Sequence, residues 1–237
     1  MNLRVVVLGL SVFGLCTTLL AQSVATITQI EGEASLLRSS VGTWKSARVG
    51  AVLILGDELA TRGESFAEIR YTNGAVLRMD ENTKIVLAQA SDKAYSTQSS
   101  LGKVWVNMQK ITKKGTEFSV VSPTATAAIR GTVFELGTTA DSSTSVAVFD
   151  GKVDVGPTTS GKNTNASSLK TEVSGPTEIP GPYEVSLSAW KQITKGQQIT
   201  VRRDGKFAQT AYNQVEKNAE SFVSKNKKLD KDLLLKQ

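Results

Sequence analysis

Histidine is absent from this sequence, and cysteine occurs once, at Cys16, inside an apolar N-terminal run. The commonest general base and the commonest metal ligand are therefore missing. If the run is removed on export, the remaining chain has no disulfide, no thiolate metal site and no thiol nucleophile. The carboxylates do not fill that gap. Asp57-Glu58 and Asp80-Glu81 are the adjacent acidic pairs of the β-rich region, and neighbours on a strand point to opposite faces. Neither pair alone gives the two converging carboxylates of a glycoside hydrolase, and no run of oxygen ligands forms a calcium loop. A non-enzyme without cofactor or metal is expected, with a carboxylate-dependent hydrolase as the remote alternative.

Arg4, the apolar run Val5 to Leu20 and the small and polar residues Ala21-Gln22-Ser23-Val24-Ala25 follow the order of a secretory signal. The run is shorter than the roughly 20 residues of a spanning helix, so residues 1–23 are read as a cleaved leader rather than a retained anchor. Leu15 stands before Cys16 where a lipoprotein needs a small residue. The predicted location is the periplasm or the cell surface. Net charge is +6, or +5 once Arg4 leaves with the leader, and the lysines are mostly spread. Dispersed charge on an exported chain argues against a nucleic-acid partner. Attraction to an anionic envelope polymer stays open.

Residues 24–206 are predicted to form an all-β domain. Short β-branched segments alternate with glycine turns, and no helical pattern interrupts them up to residue 156. Ala67 to Met79 reads as a hairpin around Asn73-Gly74, with a type I′ turn, and Ser145 to Val155 as another around Asp150-Gly151. Tight turns and alternation favour two antiparallel layers over the alternative, a β-solenoid. Alternation also places Trp105 with Lys103 and Asn107, opposite Val104 and Val106, so both faces of that strand should be covered. Trp44 and Trp190 are read, like Trp105, as core anchors rather than a sugar-stacking platform. Residues 157–182 are polar and then proline-bearing, a loop by composition. Strands are expected again at Tyr183–Leu187 and Gln198–Arg202.

From Phe207 the period becomes helical. Tyr212, Val215, Ala219, Phe222, Asn226, Leu229 and Leu233 fall at spacings of three and four, with lysines between them. The tail, 207–237, is read as an amphipathic helix. Its first half should dock on the β domain and its second half, beyond Lys225, should project. Self-association through the seam, with Asn226 setting register, is one possible use.

Five ordered motifs resemble the FecR domain family. Gly56-Asp57-Glu58-Leu59-Ala60-Thr61 is similar to its GDxxxT turn, and Ala67 to Arg78, through Asn73-Gly74, to its hairpin. Gly102-Lys103-Val104-Trp105-Val106 is similar to its GxVWV strand. The stretch Phe118 to Glu135, with Pro123, Arg130, Gly131, Thr132 and Phe134, is the most specific match, and Val146 to Val153 contains Gly151. The residue types suggest structural work. Gly131 suits a positive φ or a close approach, Pro123 suits a corner or edge, and Arg130 suits a carboxylate partner or a snorkelling position. In its best-known members the family relays a signal from an outer-membrane transporter to a sigma factor. Here no cytoplasmic segment is expected before the apolar run. The expectation is therefore a non-catalytic envelope binding or scaffold module for a protein or polysaccharide, with a periplasmic sensor of sigma-factor signalling as the alternative.

Overall fold

The computed structural model describes residues 22–108, 116–158 and 190–235. The leader up to Ala21, the polar segment beyond Thr158 and the strand expected at Tyr183–Leu187 lie outside the described residues.

The alternation read from the sequence builds two stacked sheets. The front sheet runs β4 (Val52–Leu53), β1 (Ala25–Glu31), β6 (Phe66–Tyr71), β7 (Val76–Met79), β9 (Ala94–Asn107), β12 (Val133–Thr138), β13 (Thr144–Asp150), β16 (Gln197–Val201) and β17 (Phe207–Ala211). The back sheet runs β3 (Trp44–Ser46), β2 (Ala34–Leu37), β5 (Glu58–Thr61), β8 (Lys84–Ala90), β9 again, β10 (Glu117–Val121), β11 (Ala125–Ile129), β14 (Lys152–Pro157) and β15 (Lys191–Thr194). Among the described residues only β9 and β10 pair in parallel. The chain reverses at its turns instead of coiling onward, which sets the solenoid alternative aside.

Strand β9 belongs to both layers. Its first half pairs with β8 and β10, and its second half with β7 and β12. Gly102 makes the crossing, with φ of 87° and no room for a side chain, because a Cβ there would lie 2.5 Å from Thr83 Cα. A left-handed backbone with that approach is open only to glycine. Between the layers, Ile69, Leu77, Val104, Val106, Phe134 and Leu136 of the front sheet meet Leu59, Ile85, Phe118, Val120 and Val153 of the back sheet. Each such side chain contributes about 1.5–3 kcal/mol on burial.

Two turns differ from the sequence reading. At Asn73-Gly74 only Gly74 has positive φ, 93°. Gly74 N–H donates to Tyr71 C=O and Tyr71 N–H to Ala75 C=O, which closes a three-residue loop with a glycine bulge rather than a two-residue type I′ turn. Asp150-Gly151 forms no hairpin. It carries the chain from β13 in the front sheet to β14 in the back sheet, because each strand finds its partners within its own layer.

The helical tail also begins later than its pattern suggests. Phe207–Ala211 pairs with β16, and the helices are α1 (Gln214–Ala219) and α2 (Ser221–Leu235). Asn213 caps α1, its Oδ1 accepting from Val215 N–H at 3.0 Å. At Glu220 ψ turns to 130°, which breaks the helix and resets its phase. Val215 (78 % exposed) and Ala219 therefore point to solvent, whereas Phe222, Val223 and Asn226 are buried. Helix α2 lies on the outer face of the front sheet as a third layer, and the residues beyond Lys225 are part of that contact rather than a projection.

Candidate functional site

The motif residues divide into corners and packing. Asp57 is buried and accepts from Arg38 Nη1 (2.8 Å), Ser39 N–H (3.1 Å) and Ile54 N–H (3.0 Å), with Gly56 beside it at positive φ. Asn73 Oδ1 accepts from Ala75 N–H inside its loop. Pro123 lies in the β10–β11 connection, where Ser122 Oγ both donates to Ala125 C=O and accepts from Ala125 N–H. Arg130-Gly131-Thr132 carries the chain from β11 to β12. There Thr132 Oγ1 donates to Lys152 C=O at 2.7 Å, next to Gly151, so the two inter-sheet corners are tied together. Arg130 is not buried. It pairs with Glu117 at 3.1 Å with both side chains about two-thirds exposed, a geometry that adds little stability. Phe134 lies in the core between the sheets. These residues lie apart and do not converge on one pocket.

Trp105 leads to a different constellation. Across the front sheet the register aligns Glu68 with Arg78, Arg78 with Trp105, Trp105 with Glu135 and Glu135 with Ala147. The row runs straight over four strand pairings on the outer face. Left bare it would be a solvent face. Helix α2 covers it, so its charges must find partners. Arg78, fully buried, donates to Glu68 Oε2 at 2.7 Å and to Asp230 Oδ1 at 2.5 Å. Thr28 Oγ1 donates to Glu68 Oε1 at 2.6 Å, and Trp105 Nε1 donates to Asp230 Oδ2 at 2.9 Å. Trp105 also stacks on Phe149 with ring centroids 4.5 Å apart. Asn226 Nδ2 donates back to Phe222 C=O, and its Oδ1 faces Arg78. Of the seam read as a self-association face, Tyr212, Phe222, Asn226 and Leu229 pack on the chain's own sheet, whereas Val215 and Ala219 do not.

Beside this network the elbow between α1 and α2 overhangs the sheet and leaves a cleft of about 630 Å³. Six carboxylates line it, from Glu31, Glu64, Asp80, Glu81, Glu135 and Glu220. The lysines lining it are already engaged. Lys225 pairs with Glu31 at 2.7 Å, Lys217 with Glu135 Oε1 at 2.8 Å and Glu220 at 3.0 Å, and Lys103 with Glu220 at 3.4 Å. Glu135 is 3 % exposed, and its second oxygen, Oε2, has no hydrogen-bond partner. Burial pushes the Glu135 carboxyl above the ordinary carboxylate value, and Lys217 only partly reverses this. Burial also works against the Lys217 ammonium, yet Glu135 and Glu220 outweigh it and hold that group above the ordinary lysine value. The two directions describe one ion pair. The lysine, shared by two carboxylates, keeps its charge, and Glu135 is the member that takes a proton first as pH falls. Burial likewise raises Asp80, against the pull of the Glu81 backbone and Lys103. Among the described residues no group of three or more acidic side chains is placed to hold a metal ion.

Sequence reasoning missed Glu68, Arg78, Glu135 and Asp230. A polar residue at every second strand position looks like solvent-facing alternation. The usable signal was the cross-strand Glu68–Arg78 opposition together with Trp105 on that same face. Of the other tryptophans, Trp44 is not a core residue. It is 41 % exposed on the edge strand β3, beside Lys84 and a second concavity of about 650 Å³ that also contains Arg62, Asn82 and Thr83. Trp190 is half-buried, its ring against Gly156, where a Cβ would collide with it.

Residues 57–154 match the family model described as FecR protein. The chain carries a FecR domain, and the matched span runs from the Asp57 turn to strand β14. No curated protein matches this chain. Two crystal structures of a candidate anti-sigma factor from Parabacteroides distasonis ATCC 8503 are similar in part. One has 15% identity and a TM-score of 0.46 over 66% of this chain and 60% of that one. The other has 14% identity and a TM-score of 0.48 over 69% and 64%. In both comparisons the matched region thus spans less than two thirds of the crystallised anti-sigma factor chain. Among the described residues no helix is long and apolar enough to cross a membrane.

Proposed function

We propose that this chain is a non-catalytic, envelope-facing FecR module that recognises a protein and serves as the sensing component of a sigma-factor signalling pathway. The FecR domain over residues 57–154 carries the proposal, since in the best-known members of the family that domain works as a relay. The N-terminal leader pattern supports an exported location. The lack of histidine and the separation of the motif residues support binding rather than catalysis. In this reading Gly56, Asp57, Asn73, Gly74, Pro123, Arg130, Gly131, Thr132, Phe134 and Gly151 maintain the scaffold, and Trp105 anchors the tail across it.

A photo-crosslinking amino acid placed at Glu81, on the cleft, tests the reading in cells. A covalent adduct with one discrete protein is the expected outcome. An envelope-polysaccharide scaffold is the second reading, favoured by the half-exposed Trp44 ring above polar neighbours. Retention on purified envelope glycan, lost with Trp44→Ala and accompanied by no protein adduct at position 81, supports that reading against the first.

A further inference from the structure

Nine large apolar side chains are exposed among the described residues, and five of them fall between Val41 and Leu55. These are Val41, Trp44, Val49, Val52 and Leu55, at the end of the sandwich where the two sheets stop at their edge strands β3 and β4. Arg38 ties the loop that bears Val41 to the segment that bears Val52 and Leu55. Its Nη1 donates to Val52 C=O at 2.6 Å and to Asp57 at 2.8 Å, and Ser39 N–H donates to the same carboxylate.

The two edges differ in what they leave unpaired. On β4 the outward C=O of Val52 is taken by Arg38. On β3 no described residue does the same. Ala47 N–H donates to Ala34 C=O at 2.8 Å, and Lys45, opposite Leu36, is the next residue whose main chain faces β2. Hydrogen bonding alternates along an antiparallel strand, so Trp44 and Ser46 turn their N–H and C=O groups outward. Open main-chain groups beside exposed apolar side chains are what a sheet edge needs to accept a further strand.

Charge selects the occupant. From Ala34 to Gly56 the chain has Arg38, Lys45 and Arg48 and no acidic residue. Arg38 is matched by Asp57, whereas Lys45 and Arg48 are exposed and pair with no carboxylate among the described residues. A second copy joined through all the outward groups of β3 would set Lys45 directly against its own counterpart, a destabilising opposition. An acidic residue opposite Lys45 meets attraction instead.

We propose that β3 accepts an extended segment of the protein partner, in which apolar residues flank an acidic side chain set against Lys45. The proposal rests on the reading that the chain binds a protein. The main chain of the segment bonds to Trp44 and Ser46, and its apolar side chains cover the exposed patch. Lys45 both attracts the acidic residue and keeps copies of this chain from pairing with one another.

The test uses the mature chain and three peptide probes, followed by NMR through the backbone amides of Trp44 and Ser46. The first probe is acetyl-Thr-Val-Glu-Val-Thr-amide. The second carries lysine in place of glutamate, and the third has both valine nitrogens methylated. Saturable shifts at both amides are expected with the acidic probe and none with the methylated one. Affinity should fall about tenfold in Ser46→Pro, which removes one outward donor. It should fall about fivefold in Lys45→Glu, a variant that should in turn prefer the lysine probe. The Ser46 N–H serves no bond within the sheet and proline is tolerated on an edge strand, so Ser46→Pro should keep its Tm. The exposed Lys45→Glu keeps the test valid if it does not. Equal binding of the methylated probe, or a Lys45→Glu variant with the wild-type preference, overturns the proposal. A dimer in sedimentation that Ser46→Pro dissolves assigns the edge to a second copy and also overturns it. Binding of the acidic probe without a protein adduct at position 81 removes the partner reading and leaves the strand-accepting edge standing. An adduct without binding of that probe removes this inference alone.

Discussion

Trp105 on β9 donates its indole N–H to Asp230 on α2 at 2.9 Å, although the two residues are 125 positions apart in the chain. The same carboxylate binds Arg78 through its other oxygen, so one helical residue closes both the aromatic and the ionic part of the front-sheet row. The tail is consequently part of the folded domain.

Truncation after Ser224 should therefore destabilise the protein. It removes Asn226 and Asp230, leaves Arg78 with Glu68 as its one remaining charged partner, and uncovers Trp105. Breaking a buried ion pair from one side costs about 3–5 kcal/mol, which is a fall in Tm of roughly 10 °C in a domain this size. Asp230→Ala should cost about 1.5–3 kcal/mol, the worth of its charge-assisted hydrogen bonds. Thermal unfolding followed by tryptophan fluorescence reads both, and an unchanged Tm in the truncated chain contradicts the docking.

Gly102→Ala should be the most damaging single-methyl substitution in β9. The residue sits at φ of 87°, and the added carbon would collide with the backbone of Thr83, which cannot swing aside as a flexible side chain can. Left-handed strain plus the clash should cost about 3 kcal/mol or more. Chemical denaturation measures it, and a loss below about 1 kcal/mol means that β9 does not bend between sheets as described.

Glu135 makes stability depend on pH in a stated direction. Its folded-state pKa is raised, so the folded protein binds that proton more tightly than the unfolded chain does. Its contribution to stability is complete below the unfolded carboxylate value and is lost as pH rises through the folded one. The groups facing it are Lys217 and Glu220 from the tail and Lys103 from β9. The Tm of the wild type relative to Glu135→Gln should accordingly rise as pH falls from 7 to 4. For Glu220 burial is outweighed by Lys217 and Lys103, which hold the pKa low, so the comparison with Glu220→Gln should move the opposite way. Parallel pH profiles for wild type and Glu135→Gln contradict the buried carboxylate.

The sequence made the strands legible because period-two alternation is a local signal. It also placed Trp105 opposite Val104 and Val106, which implied that both faces of β9 are covered. Turn geometry was less legible. Asn73-Gly74 permits both a two-residue and a three-residue loop, and Asp150-Gly151 bends equally well within a layer or between layers. The tail misled for a further reason. Its heptad spacing took in Val215 and Ala219, which face solvent, and passed over Asp230, on which the contact depends together with Asn226. Those polar residues belong in a buried interface only because Arg78 and Trp105 await them on a distant strand. Periodicity is local and cannot report that complementarity. The Glu135 site depends on the same long-range assembly, since its cleft exists only once the α1–α2 elbow overhangs the sheet.

The central claim, that the chain senses for a sigma factor, is tested most directly by transcript levels in cells that lack the gene, compared with cells in which it is restored. The account predicts a coherent change confined to the promoters of one alternative sigma factor, reversed by the wild-type chain and not by the chain truncated after Ser224. A transcript profile unchanged by the deletion, in cells where the protein is normally made, contradicts it.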